Sequence, residues 1–159
     1  MPVRLTSARI PVISMTVKEV VKYSGCFICG ESNDHGVKAR FFYDGEQAVT
    51  EVTADEIFEG YRGIYHGGVL SALLDEVMIK AILAEDIYAV TAEITIKFIR
   101  PVRTGDRIKL TGRVITKKGR LYLTEGQAVD GDGKAFATAT GKYIEARPGL
   151  KEILVQSID

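Results

Sequence analysis

Residues 67–84 read GGVLSALLDEVMIKAILA. Their spacing predicts a single long helix whose apolar side chains, from Val69 and Leu70 through Leu73, Leu74, Val77 and Met78 to Ile82 and Leu83, fall on nearly every side of the wheel. A helix that is apolar all round is stable only when buried on all sides. Asp75, Glu76 and Lys80 interrupt it, and it is too short to prefer lipid. The rest of the chain must therefore wrap it.

The wrapping material follows directly. Residues 89–100 alternate, with Val90, Ala92, Ile94, Ile96 and Phe98 on one face and Thr91, Glu93, Thr95 and Lys97 on the other, until Pro101 ends the run. Three further strand-like runs succeed it: RIKLTGRVIT (107–116), RLYLTEGQAV (120–129) and KAFATATGKYIEA (134–146). The turns between them are short, so neighbours are antiparallel. Upstream, VKARFFY (37–43) and QAVTEVTA (47–54) flank Asp44-Gly45-Glu46, a hairpin signal. Thr16 reads as an N-cap for a short helix over VKEVVKY (17–23). The expected class is α+β: one long buried helix wrapped by an antiparallel sheet of five or six strands. The expected division is an N-terminal arm and short helix over 1–25, the wrapped-helix domain over 26–146, and a tail with a short added element over 147–159.

Composition narrows the function classes. The chain has 159 residues, enough for one domain, and 46% of them are hydrophobic. Lys plus Arg and Asp plus Glu number 21 each, a balance that argues against nucleic acid and gives no polybasic membrane surface. No apolar run reaches the roughly 18 residues of a bilayer span. The first fifteen residues carry no continuous apolar stretch of the secretory kind, so the expected location is the cytoplasm. The sequence contains no G-x-S-x-G, H-E-x-x-H, Walker A or G-x-G-x-x-G motif. Gly131-Asp132-Gly133-Lys134 lies between two strands and reads as a hairpin turn. Cys26 and Cys29 are half of a tetrahedral metal set, with His35 the only further candidate nearby, and they read as two reduced, packed thiols.

The chemistry-bearing stretch is Gly60-Tyr-Arg-Gly-Ile-Tyr-His66-Gly67-Gly68, followed by Asp75. Free backbone N–H groups at a helix start, aided by the helix dipole, are donors for a carbonyl oxygen or an oxyanion. Glycine there lets a ligand approach the backbone. A carboxylate in an apolar helix must be paired or functional. His66 as a simple cap and Asp75 as a satisfied core acid remain open at this point. Nine residues of helix turn about 900° and rise about 13 Å. His66-Gly67 and Asp75 therefore lie on opposite sides, and a site using both must form between two protomers.

HGGVLSALLDE (66–76) after GYRGIY (60–65), with CFICGESNDHGV (26–37) in front and TAEITIKFIRPVRTGD (91–106) behind, resembles the hotdog-fold acyl-CoA thioesterases of the PaaI-like group over roughly residues 26–146. The resemblance implies thioester hydrolysis without serine, metal or cofactor. The Gly67 amide would polarise the thioester carbonyl beside His66, and Asp75 of the partner chain would serve as general base or nucleophile. Thr91 would help hold the water or the acid, and Gly68, Gly60 and Tyr65 would line the substrate. Some relatives carry an Asn six residues before the His, where this chain has Gly60, which leaves Tyr65 as the substitute second donor. Thr91 has the opposite parity from the apolar face of its strand, so a regular strand would point it away from the helix. The implied partners are acyl-CoA and further copies of the chain, as a homodimer or dimer of dimers. Within the same fold, a non-enzymatic acyl-CoA-binding sensor and a dehydratase acting on 3-hydroxyacyl thioesters are the alternatives.

Overall fold

The long helix, α1, spans Gly67–Leu83, and Leu73, Leu74, Val77 and Met78 on it are 0% exposed. The structure, a computed structural model, describes residues 16–158. Around α1 runs one sheet made of β1 (Lys18–Glu19), β2 (Phe42–Tyr43), β3 (Ala48–Thr53), β4 (Ala89–Phe98), β5 (Arg107–Lys118), β6 (Leu121–Val129) and β7 (Ala135–Glu145). The spatial order is β1-β2-β3-β5-β6-β7-β4, antiparallel throughout. Five strands are long, and β1 and β2 are two-residue additions at one edge. A short helix, α2 (Pro148–Gln156), opens with proline at its first turn and forms the added element expected of the tail.

Local chemistry accounts for the joints. In the β2–β3 hairpin the Asp44 carboxylate accepts the backbone N–H groups of Glu46 (2.9 Å) and Gln47 (2.8 Å), and Gly45 takes φ 98°. The 130–134 turn is built likewise, with Asp130 accepting from Asp132 and Lys134, so the Gly-Asp-Gly-Lys stretch is a hairpin turn. Gly112 of β5 lies directly against the backbone of the helix. A Cβ there would lie 2.5 Å from the Val77 carbonyl oxygen and 2.8 Å from the Met78 nitrogen, both backbone atoms unable to swing aside. Gly112→Ala is therefore expected to lower stability by about 2 kcal/mol in urea denaturation, and an unchanged midpoint would show that the helix can shift freely.

Two expectations fail. VKEVVKY is not helical: Lys18 and Glu19 pair with Tyr43 and Phe42, the Val20 N–H donates to the Phe41 carbonyl (2.9 Å), and Thr16 caps nothing. Three β-branched valines favour extended backbone, and the open edge of β2 supplies the bonds that a helix of about two turns lacks. The expected arm over residues 1–15 lies outside the described residues.

The second failure concerns β4. Its alternation predicts a covered apolar face, yet Val90 and Phe98 are exposed, Phe98 to 53%, and Ile99 just beyond is 51% exposed. Among the described residues β4 pairs only with β7 and leaves its other side without a neighbour. The described residues do not finish burying this strand.

Candidate active site

His66 is the N-cap of α1. Its φ of −64° and ψ of 125° are extended, and its Nδ1 accepts the Gly68 N–H at 2.9 Å. Gly68 has to be glycine for this cap, since a Cβ would sit 2.9 Å from Nδ1 and 3.0 Å from Cε1 of the same ring. Gly60 lies against the ring, where a Cβ would come within 3.2 Å of the His66 Cδ2. With Gly68 engaged, the neighbouring Gly67 N–H has no partner among the described residues; Gly67 is exposed and stands beside the Phe98 ring of β4. Tyr65 behaves differently. It is buried edge-on against Phe58, its hydroxyl has no hydrogen-bond partner among the described residues, and burial together with Asp55 pushes its phenol up to about 12. Gly60, His66 and Gly67 thus share the surface at the helix start, while Tyr65 is set in the core.

Asp75 lies two turns further along and is partly buried. Its Oδ1 accepts the Tyr143 hydroxyl at 2.8 Å and the Thr91 hydroxyl at 3.0 Å, with Oδ2 3.2 Å from the same Thr91 oxygen. A threonine hydroxyl has one hydrogen, so at any instant it serves one oxygen, and Oδ2 keeps most of its accepting capacity. Thr91 reaches Asp75 despite its parity because the β4–β7 register shifts between Thr91 and Glu93. That bulge re-aims one side chain of the strand. Tyr143, 0% exposed on β7, is the member that the motifs do not reveal. A tyrosine on the inward face of a strand needs a partner for its hydroxyl, and that need was the available signal. Burial, then the Asp75 charge, raises the Tyr143 phenol above its ordinary value, so it stays a donor. Within one chain the partners of His66 and Gly67 do not overlap those of Asp75.

Glu76, the next residue, faces another way. Its carboxylate is 3.4 Å from the Lys80 ammonium, and the Lys80 side chain is only 1% exposed, its cation over the rings of Tyr23 (5.6 Å) and Phe41 (5.7 Å). Burial, and then the Cys26 charge, raises the Glu76 carboxyl, with Lys80 opposing. Cys26 and Cys29 complete the cluster, whereas His35 is exposed on its loop. The third neighbour of the cysteines is Glu76.

A family model described as "Thioesterase superfamily" matches residues 62–137. Over 99 residues the chain is 30% identical to the "Putative esterase" of Saccharolobus solfataricus, an alignment covering 61% of this chain and 70% of that protein. The chain belongs to the thioesterase superfamily. Solved members share its hotdog fold. A thioesterase superfamily protein superposes with a TM-score of 0.72 at 24% identity, over 77% of this chain and 61% of that one, so this chain spans less than two thirds of that relative. The PaaI protein of E. coli superposes at 0.66 with 24% identity, over 70% and 81% of the two chains. A hypothetical thioesterase of Streptococcus pneumoniae, solved with coenzyme A, does so at 0.58 with 17% identity, over 64% and 82%. No helix among the described residues is long and apolar enough to cross a membrane.

Proposed function

We propose that the protein hydrolyses an acyl-CoA thioester to the free acid and coenzyme A, in a site shared between two protomers. The observation that carries the reading is the state of the helix start. His66 consumes the Gly68 N–H and leaves the Gly67 N–H without a partner among the described residues, exposed at the positive end of the helix dipole, as a donor for the thioester oxygen must be. The acid comes from the partner's α1: its Asp75, oriented by hydroxyls from two strands, takes a proton from water as the carbonyl is attacked, or attacks the carbonyl itself. A thiolate leaves readily, so a carboxylate and one polarising amide suffice. Superfamily membership supports the reaction class, and the S. pneumoniae relative solved with coenzyme A supports the leaving group. The decisive experiment is a panel of acyl-CoAs incubated with purified protein, with free thiol as the readout. Binding of acyl-CoA without thiol release would favour the sensor reading instead.

Assembly is part of the proposal. The free edge of β4 with its exposed Phe98, next to Gly67, is where a second copy would extend the sheet and bring its own Asp75 across. Light scattering at micromolar concentration is expected to give a dimer or a dimer of dimers. A species of only 17.4 kDa would end the shared-site mechanism.

A further inference from the structure

Among the described residues, a dense set of reactive side chains outside the site just described surrounds Cys26. The Cys26-Phe-Ile-Cys29-Gly30 turn is wound so tightly that a Cβ on Gly30 would fall 2.3 Å from the Ser24 carbonyl oxygen. The turn aims two backbone N–H groups at the Cys26 sulfur, from Ile28 (3.3 Å) and Cys29 (3.4 Å). The two sulfurs and a Glu76 carboxylate oxygen all lie within 4.8 Å of one another. The Lys80 ammonium closes the cluster, 3.5 Å from the Cys29 sulfur and 3.4 Å from Glu76. Cys26 is half-buried and, with Glu76, Lys80 and Tyr88, lines a cavity of about 190 Å³; Cys29 is buried behind it. One thiol is thus reachable, with two backbone donors on its sulfur, the Glu76 carboxylate 4.0 Å away and balanced by Lys80, and a second thiol at its back.

A dication bound by the two sulfurs and Glu76 would face the Lys80 ammonium across a few ångströms, a repulsion the buried setting magnifies. Lys80 already supplies the positive charge that two thiols and a carboxylate call for. The chemistry left to the pair is redox. We propose that Cys26 and Cys29 are a reactive dithiol that reduces a hydroperoxide and closes to a disulfide, Cys26 attacking and Cys29 resolving. The Cys26 thiolate attacks the peroxide oxygen; an S–O bond forms and the O–O bond breaks. The leaving oxygen departs with the electron pair, takes up a proton as water or an alcohol, and Cys26 becomes a sulfenic acid. The Cys29 sulfur then attacks the Cys26 sulfur. The S–S bond forms, the S–O bond breaks, and hydroxide leaves with the Cys29 proton as water. The dithiol loses two electrons and the peroxide gains them.

The charges fit these roles. The Cys29 hydrogen bond, the two backbone N–H groups and Lys80 hold the Cys26 thiol below its ordinary value, while Cys26 and burial push Cys29 up, in keeping with the reachable sulfur attacking and the buried one resolving. The full-length protein is treated with hydrogen peroxide at pH 6, folded and in denaturant, and followed by intact mass and thiol count. Wild type should lose two hydrogens, and both thiols, at least about tenfold faster folded than unfolded, because the folded turn aims its N–H groups at the Cys26 sulfur and raises its thiolate share. Cys29→Ser should stop at a sulfenic acid on Cys26, trapped by dimedone, and Cys26→Ser should leave Cys29 unreacted. If either serine variant misfolds, the folded-to-unfolded ratio of wild type still decides. Equal rates in the two states, oxidation of Cys29 in Cys26→Ser, or stoichiometric zinc that Cys26→Ser abolishes would each overturn the proposal. None of these readouts involves thioester hydrolysis, so their outcome does not depend on the proposed activity.

Discussion

Asp75→Asn is expected to lower kcat for thioester hydrolysis by 10²-fold or more, to leave a folded dimer, and to change substrate binding little; the size of the loss, about 3 kcal/mol of barrier, is what a positioned base contributes. The amide is nearly isosteric, and its oxygen can still accept the Tyr143 and Thr91 hydroxyls that now meet at Oδ1, at 2.8 and 3.0 Å. What it loses is the charge and the basicity of Oδ2. Were Asp75 only a satisfied core acid, the ordering would reverse: stability would fall while turnover per folded molecule survived. Steady-state kinetics beside a urea titration separates the two, and a folded variant with near-normal hydrolysis would remove the mechanism. The neighbouring Glu76 is a poor control, because it pairs with buried Lys80. Glu51→Gln is the better one. It removes a carboxylate from an exposed pair with Arg107, where such pairs contribute little, and it should leave both readouts unchanged.

The largest effect on stability is expected at Lys80. Replacing it by methionine keeps length and apolar volume but leaves Glu76 and the cysteine pair without their cation. Removing one partner of a buried pair costs about 3–5 kcal/mol, because the survivor is stranded rather than because the pair itself is worth that much. Lys80→Met should therefore lower the urea midpoint strongly, whereas Lys80→Met with Glu76→Gln should recover most of the loss. A single variant as stable as wild type, or a double variant no better than the single, would show that the ammonium is not what holds this flank of α1 together.

The sequence makes the architecture legible and the site only half so. An all-round apolar α1 demanded a wrapping sheet, and strict alternation with short turns supplied β4 to β7, because each signal is local and repeated. The motif also led to His66, Gly67, Asp75 and Thr91, and the structure brings Thr91 to Asp75. Their pairing hides in a bulge, however, and a bulge leaves no periodic trace: parity alone turned Thr91 outward. Tyr143 was illegible for a related reason, since its contact joins residues far apart in the chain. Lys80 looked like an interruption of an apolar wheel, and its partners come from a turn some fifty residues earlier. The VKEVVKY segment misled in the other direction. Its valines suit either period over so short a run, and only the open edge of β2 decides between them.

The strand order also dictates how the molecule must come together. β4 directly follows α1 in the chain, yet its neighbour is β7, with Ala89 opposite Glu145 and Phe98 opposite Ala137. No hairpin can form it. β5, β6 and β7 form a meander, each closing on its predecessor through a short turn, and its far edge is the one that β4 joins. Loop closure over that distance is entropically slow, and non-local pairing of this kind delays folding. During synthesis α1 emerges well before the strand that finishes its cover. The nascent chain thus carries an apolar segment whose full cover is made only with the last third of the protein.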